Sequence, residues 1–406
     1  MRVSTAQFYL QSSQQMSSKS SDVNEQMAYL TSGKRVLTAK DDAVAYGTLA
    51  GYKDDLANIE KYKRNITQAE SHNSLQDVVF ADAENILNSI KDKLLQASNG
   101  AMTDQDLQAI AKEARNNFDH LIDLANSQNE NGDYIFSGYQ TDHQPFSQQV
   151  DGSVSYSGDS GIQEIQIAKN ITIPTNQSGD AAFMKVDNAI GDFSVNYPTA
   201  PSANTSGVAV ESADVTDRNV FNTTAGPHNY TFTFGPGAAD LNVLDGVVNV
   251  YSTTTYETGQ DIPLSTGVNV TLSGNPLPGD NFVISEQEEI GIFDTIKDAL
   301  AWLDKGVVTT DVEQHQVDYN TILDQLNTAT SHITSRRVDA GIRMQVLETQ
   351  ESRHLDTELS LASGKSNIED LDFAKAISEF EQAKLALQAS QQAFSKVQGL
   401  SLLNYI

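Results

Sequence analysis

The chain has 406 residues and a formal net charge of −28, which argues against binding nucleic acid or an anionic membrane surface, because either would need clustered Lys and Arg. It has no cysteine, which excludes disulfides, thiol catalysis and cysteine metal sites. With 39% apolar and only 7% aromatic residues, several small cores in an elongated molecule are expected rather than one large core, and the partners are expected to be proteins.

The start, Met1-Arg2-Val3-Ser4-Thr5-Ala6-Gln7-Phe8, holds no apolar run of the secretory-signal kind, and no stretch is long and apolar enough to span a bilayer. All nine prolines lie between Pro145 and Pro278. A proline inside a helix costs about 3 kcal/mol. Their confinement predicts uninterrupted helix at both ends of the chain and a β-rich middle.

In the first arm Tyr9, Met16, Val23 and Leu30 recur every seventh residue, with Met27 between, as in a sparse coiled-coil seam. Such a narrow stripe cannot stabilise a lone helix, so the arm needs a partner. The other end of the chain offers Phe373, Ile377, Phe380, Leu387 and Phe394, interrupted by Lys384 and Gln391. The two ends would pair either as a hairpin within one chain or as part of a larger rod of stacked subunits. Leu30-Thr31-Ser32-Gly33-Lys34 and Leu361-Ala362-Ser363-Gly364-Lys365 each place a glycine where a helix is expected to end. Asp41 and Asp42, just before Ala43 and Val44, suit a helix N-terminus better than paired catalytic carboxylates.

From Ile59 to Leu94, apolar residues keep a 3-4 spacing whose polar members are Asn73 and Gln76; the helix should stop near Asn99-Gly100. Thr103 and Asp106 have capping-box spacing for the next helix, which carries Leu107, Ile110, Ala114, Phe118 and Leu121. Tyr319, Ile322, Leu326, Ala329, Ile333, Ala340 and Leu347 form a further stripe, and these segments predict an antiparallel bundle. Between Tyr134 and Ile173 short alternating runs predict β-hairpins. Further strands are expected at Tyr230–Phe234, Val247–Tyr251, Val268–Leu272 and Asn281–Ile284. Across 141–290 the basic residues are Lys169, Lys185 and Arg218 against 18 acidic ones, a charge balance that favours solubility and mutual repulsion.

Several stretches resemble the flagellins and their hook-associated relatives. Leu30-Thr31-Ser32-Gly33-Lys34-Arg35-Val36 with Asp41-Asp42-Ala43 is similar to the family's N-terminal signature. Gly132-Asp133-Tyr134-Ile135-Phe136-Ser137-Gly138-Tyr139, running on to Pro145-Phe146, resembles a segment of the family's junction members rather than of filament flagellin. So do Leu387–Phe394 and the ending Gln398-Gly399-Leu400-Ser401-Leu402-Leu403-Asn404-Tyr405-Ile406. The likeness covers about 1–186 and 288–406.

The resemblance implies export through the flagellar type III apparatus and an extracellular place in the bacterial flagellum, as an adaptor between the hook region and the filament. It implies as partners other copies of the chain, a neighbouring hook-associated protein, flagellin, and a cytoplasmic export chaperone on the C-terminal helix. The expected fold is α+β: a coiled-coil-like helical rod or bundle formed by both chain ends, a β-hairpin region and an inserted small β domain. The expected domains are 1–42 with 365–406, 43–186 with 288–364, and an outward-facing insert at 187–287. The assembly seam is expected at Tyr9, Met16, Val23, Leu30, Phe373, Ile377, Phe380, Leu387 and Phe394.

No catalytic residue, metal ligand or cofactor is expected. Gly158-Asp159-Ser160-Gly161 matches the string around a serine-protease nucleophile, but it reads better as the turn of a hairpin between Tyr156 and Ile162. The seven histidines show no zinc-type spacing. Arg336, Arg337 and Arg343 form a basic cluster that would pair either within the chain or with acidic residues of a neighbouring subunit. Filament flagellin, or a secreted adhesin using the insert, are the rival readings.

Overall fold

Long unbroken helices occupy both proline-free ends of the chain. The computed structural model describes residues 2–198, 206–223, 226–237 and 239–403, with side chains described from 7 to 396 within these ranges. Helices α1 (Arg2–Ser32), α2 (Ala43–Ala97) and α3 (Asp104–Ala125) come first. Then follow β1 (Phe146–Gln148), β2 (Val154–Tyr156), β3 (Glu164–Ala168), β4 (Ile171–Pro174), a π-helical turn at Asp180–Met184, β5 (Val186–Asp187), β6 (Phe193–Asn196), β7 (Ala209–Val215) and the single turn α4 (Arg218–Phe221). Strands β8 (Asn229–Phe234), β9 (Leu241–Asp245), β10 (Val248–Thr253), β11 (Asp261–Pro263), β12 (Val268–Ser273), β13 (Asn281–Glu286) and β14 (Glu289–Ile290) lead into α5 (Ile292–Asp304), α6 (Val312–Glu369) and α7 (Phe373–Leu403). The architecture is α+β, and the chain divides into two compact units, Ile66–Glu348 and Met1–Asn65 with Thr349–Ile406.

In the unit Ile66–Glu348, the spaced apolar residues of α2, α3, α5 and α6 meet in one core that includes Phe80, Leu94, Phe118, Trp302 and Leu326. Helix α3 starts where the spacing predicts: the Thr103 hydroxyl accepts from the Asp106 N–H, and the Asp106 carboxylate accepts from the Thr103 N–H. The polar members of the α2 stripe are buried and used. Asn73 donates to Pro174 O at 3.3 Å and Gln76 to Thr175 O at 2.8 Å, tying the end of β4 to the helix. Within Gly132–Phe146, Ile135–Gly138 and Pro145–Phe146 are buried, while Tyr139 and the residues around Asp142 are exposed. Phe136 and Phe146 lie with ring centroids 5.1 and 5.6 Å from that of Phe183, and Phe80 and Phe293 complete the group.

The Gly158–Gly161 string is not a hairpin turn. Strand β2 pairs back to β1, and β3 pairs forward to β4, so the string connects two separate hairpins. Side-chain bonds hold this connector: Asp159 Oδ1 accepts from the N–H of Tyr139 at 2.9 Å and of Gly161 at 2.7 Å, and Tyr156 Oη donates to Asp159 O at 2.8 Å. A Cβ at Gly161 would overlap the Tyr139 ring. The Ser160 hydroxyl donates to Asp180 Oδ2 at 2.7 Å.

Two of the three clustered arginines pair inside the chain, whereas the buried Nη1 of Arg343 has no hydrogen-bond partner among the described residues. Arg337 reaches Asp77 at 3.1 Å and Glu84 at 3.2 Å on α2, and Arg336 lies 3.8 Å from Asp339.

The strands predicted between 230 and 284 all form, and β6, β7, β9 and β11 join them. A five-stranded sheet, order β10-β9-β8-β13-β6, and a three-stranded sheet, order β11-β12-β7, bury their inward residues in one shared core. Strand β12 alternates strictly, with Val268, Val270 and Leu272 buried and the residues between them partly exposed. Both ends of this region are joined by β5 and β14, which pair Asp187 with Glu289 and Val186 with Ile290.

In the other unit, α1 ends at Gly33, which takes φ +66°, a left-handed conformation that glycine adopts without a Cβ penalty. Asp42 caps α2, its Oδ1 accepting from the N–H of Val44 and Ala45 at 3.1 and 2.9 Å. Asp41 instead closes the preceding loop, accepting from the N–H of Leu37 and Thr38. Gly364 does not end a helix. It lies inside α6, where a Cβ would come 3.1 Å from the Tyr52 ring, and α6 runs on to Glu369. The helix stops there because the chain leaving α1 pairs with it: Arg35 N–H donates to Glu369 O, Leu371 N–H donates to Gly33 O, and Lys34 and Asp370 form an antiparallel bridge.

Candidate assembly surface

Helices α1 and α7 pack along one another within a single chain. Their repeated residues supply the contact: Tyr9 meets Phe394 edge to face at 5.8 Å between ring centroids. Met16, Val23 and Leu30 on α1, and Phe380 and Leu387 on α7, are all half-buried. The inward line of α7 runs through Ala376, Phe380, Ala383, Leu387, Ser390 and Phe394, a 4-3-4-3-4 spacing in which Ala376 is the most buried. Sequence reasoning missed Ala376 and Ala383 because small residues add little to an apolar pattern, although their heptad position relative to Leu387 carries the signal.

Phe373, one heptad before Phe380, opens the same line with its ring against Gly33, yet it and the neighbouring Ile377 are left largely uncovered. They are 53% and 52% exposed, and Leu385 is also exposed. On α1 the intermediate seam position is filled by half-buried Gln26 rather than by Met27, which points to solvent with Phe8 and Leu10. The pair therefore holds one apolar line inside and carries further large apolar side chains outside. A two-helix pair with such residues exposed is poorly stabilised alone and suited to cover by further helices. The residues Asn404–Ile406 of the C-terminal motif lie outside the described residues.

Polar contacts along the pair are short-range: Lys19 with Asp22 at 2.9 Å and Lys384 with Glu381 at 3.2 Å. These exposed pairs add little to stability. Tyr29, near the end of α1, has its hydroxyl pKa pushed up to about 12 by partial burial and by the neighbouring Asp41 and Glu25 carboxylates, so it stays neutral.

Comparison with known proteins decides the family. The model of the bacterial flagellin N-terminal helical region matches residues 3–141, and that of the bacterial flagellin C-terminal helical region matches 323–406, together more than half of the chain. The chain belongs to the flagellin family. This flagellin-family chain is 22% identical over 402 residues to flagellar hook-associated protein 3 of Escherichia coli (strain K12), covering 99% of this chain and 98% of that protein. Two crystal structures from Legionella pneumophila, of flagellar hook associated protein-3 and of the flagellar junction protein FlgL, match it with TM-scores of 0.67 and 0.65. Each is 28% identical to it, and they cover 78% and 79% of this chain and 98% and 99% of theirs. The flagellin family is structural rather than enzymatic.

Proposed function

We propose that the chain is a structural subunit of the bacterial flagellum that joins the hook region to the flagellin filament. One observation carries this reading: the likeness to a hook-associated protein runs end to end, through the middle of the chain as well as the helices common to flagellins. The exposed apolar residues of α1 and α7 support a mechanism of assembly, in which neighbouring copies and adjoining flagellar components cover Phe8, Leu10, Phe373, Ile377 and Leu385. Tyr9, Met16, Val23, Leu30, Phe380, Leu387 and Phe394 would hold each chain's own pair together beneath that contact.

Export through the flagellar type III apparatus fits helices that gain stability only on association, since they can pass a narrow channel unfolded. Before export a cytoplasmic chaperone would cover α7, whose exposed Phe373 and Ile377 offer helix-in-groove anchors four residues apart.

Deleting the coding region in the native bacterium tests the reading. Electron microscopy should show hooks without filaments, with filament protein shed into the medium. Normal filaments on the deletion strain would rule out the junction role.

A further inference from the structure

Glu369 is the last residue of α6, and its carboxylate is almost wholly buried. Its Oε1 lies 2.9 Å from Lys34 Nζ and 3.3 Å from Lys53 Nζ, and its Oε2 lies 3.6 Å from Lys365 Nζ. Lys34 follows the end of α1, Lys53 is in the first part of α2, and Lys365 is in the last turns of α6. The backbone around this point is tied as well. The Arg35 guanidinium donates to Ile368 O at 2.9 Å, Arg35 N–H to Glu369 O at 2.7 Å, and Leu371 N–H to Gly33 O at 3.0 Å. The Phe373 ring, which opens α7, covers Gly33. Helices α1 and α7 thus both depart from a place where one buried anion gathers three cations. The Lys34 ammonium holds the Glu369 carboxyl below the ordinary range, with Lys53 adding to it and burial opposing.

We propose that Glu369 is a positioning residue for assembly: a carboxylate clasp that gathers Lys34, Lys53 and Lys365 and keeps the α1–α7 pair ordered at its root. Its link to assembly rests on the junction reading; its effect on order does not. Without the carboxylate's charge, three ammoniums that are partly open to solvent are left gathered with no anion among them, and their repulsion is the part that salt can screen. Removing the one buried anion and leaving its cations costs more than removing anion and cations together, by an amount that water around the half-exposed lysines reduces. Salt then separates the two states by sign. It weakens the attraction in the native clasp, whereas it screens the repulsion left by Glu369→Gln.

The test is limited chymotrypsin digestion of the full-length monomer at about 20 mM and about 500 mM salt, with mass spectrometry locating the cuts. At low salt E369Q should be cut within Arg2–Ser32 and Phe373–Leu403 about tenfold faster than the native chain, with Ile66–Glu348 unaffected. Raising the salt should speed cutting of the native chain and slow that of E369Q. The triple variant K34Q/K53Q/E369Q should return to within about threefold of native. Native-like cutting of E369Q, the same sign of salt response in both chains, or a triple variant cut as fast as E369Q would each overturn the clasp. Should E369Q be cut throughout its length, the triple variant decides in the same way. In cells, E369Q should reduce filament-bearing cells by about tenfold, and an unchanged number would remove the link to assembly. The digestion makes no reference to flagella, so its failure is distinct from failure of the junction reading.

Discussion

Asp180 opens the π-helical turn and ties it to the connector between β2 and β3, accepting from Ser160 Oγ at 2.7 Å and, at the end of its own turn, from Lys185 Nζ at 3.0 Å. Partial burial pushes its pKa up, but the Ser178 and Ser160 hydroxyls and the Lys185 ammonium outweigh burial and hold it well below the usual carboxylate range. A carboxyl depressed in the folded state contributes stability that is present above its unfolded value of about 4 and is lost as pH falls through the folded value. Asp294 and Asp298 on α5 act in the opposite sense, because burial raises both. The prediction therefore concerns the difference between chains. Asp180→Asn should lower stability by about 1–2 kcal/mol at pH 7 and by progressively less below about pH 4, as urea melts at both ends of that range would read. An equal loss at every pH would mean that Asp180 acts by shape alone.

Leu387 sits in the middle of the inward line of α7, with Phe380 and Phe394 one heptad away on either side. Replacing it with Asp places a charge in the α1–α7 seam, and the seam cannot pair it. Leu387→Asp should therefore abolish incorporation into the flagellum while the unit Ile66–Glu348 keeps its thermal transition. Incorporation by microscopy and a melt of the purified chain would check the two parts; normal incorporation would sink the seam. Periodicity alone revealed which residues of α1 and α7 are apolar and evenly spaced. It could not tell the half-buried Phe380 from the exposed Phe373, because the two are one heptad apart on the same line and how far each is covered depends on where α1 lies and ends. Gly364 failed as a stop signal for a similar reason: a glycine followed by lysine looks like a helix end until Tyr52 is seen to lie against it.

The β region between β5 and β14 has its own core, and its two ends leave side by side, with Asp187 paired to Glu289. A separate core and adjacent ends are what allow an insertion to be removed without straining its host. Excising the residues between Asp187 and Glu289 and closing the gap with two glycines should leave a bundle that melts within about 5 °C of the native chain. Assembly should persist as well. Loss of filaments from a strain carrying the excised chain, with the bundle still folded, would instead make the insert part of the junction contact and reopen the adhesin-like alternative.

Proline placement and the 3-4 spacing determined where helices run, because a proline is costly in any helix whatever surrounds it. The Thr103 and Asp42 caps were legible for the same reason: their bonds reach only two or three residues along the chain. The family motifs were legible as strings, yet their physical work was not. Phe136 and Phe146 enter an aromatic core with Phe183 and Phe293, partners that are remote in sequence. The pairing of β2 with β1 instead of β3, and the gathering of Lys34, Lys53 and Lys365 around Glu369, likewise depend on contacts between distant segments. Local rules act through the backbone of a few neighbouring residues. Which face of α7 is buried, and which carboxylate holds three lysines, follows only once helices from both ends of the chain lie against each other.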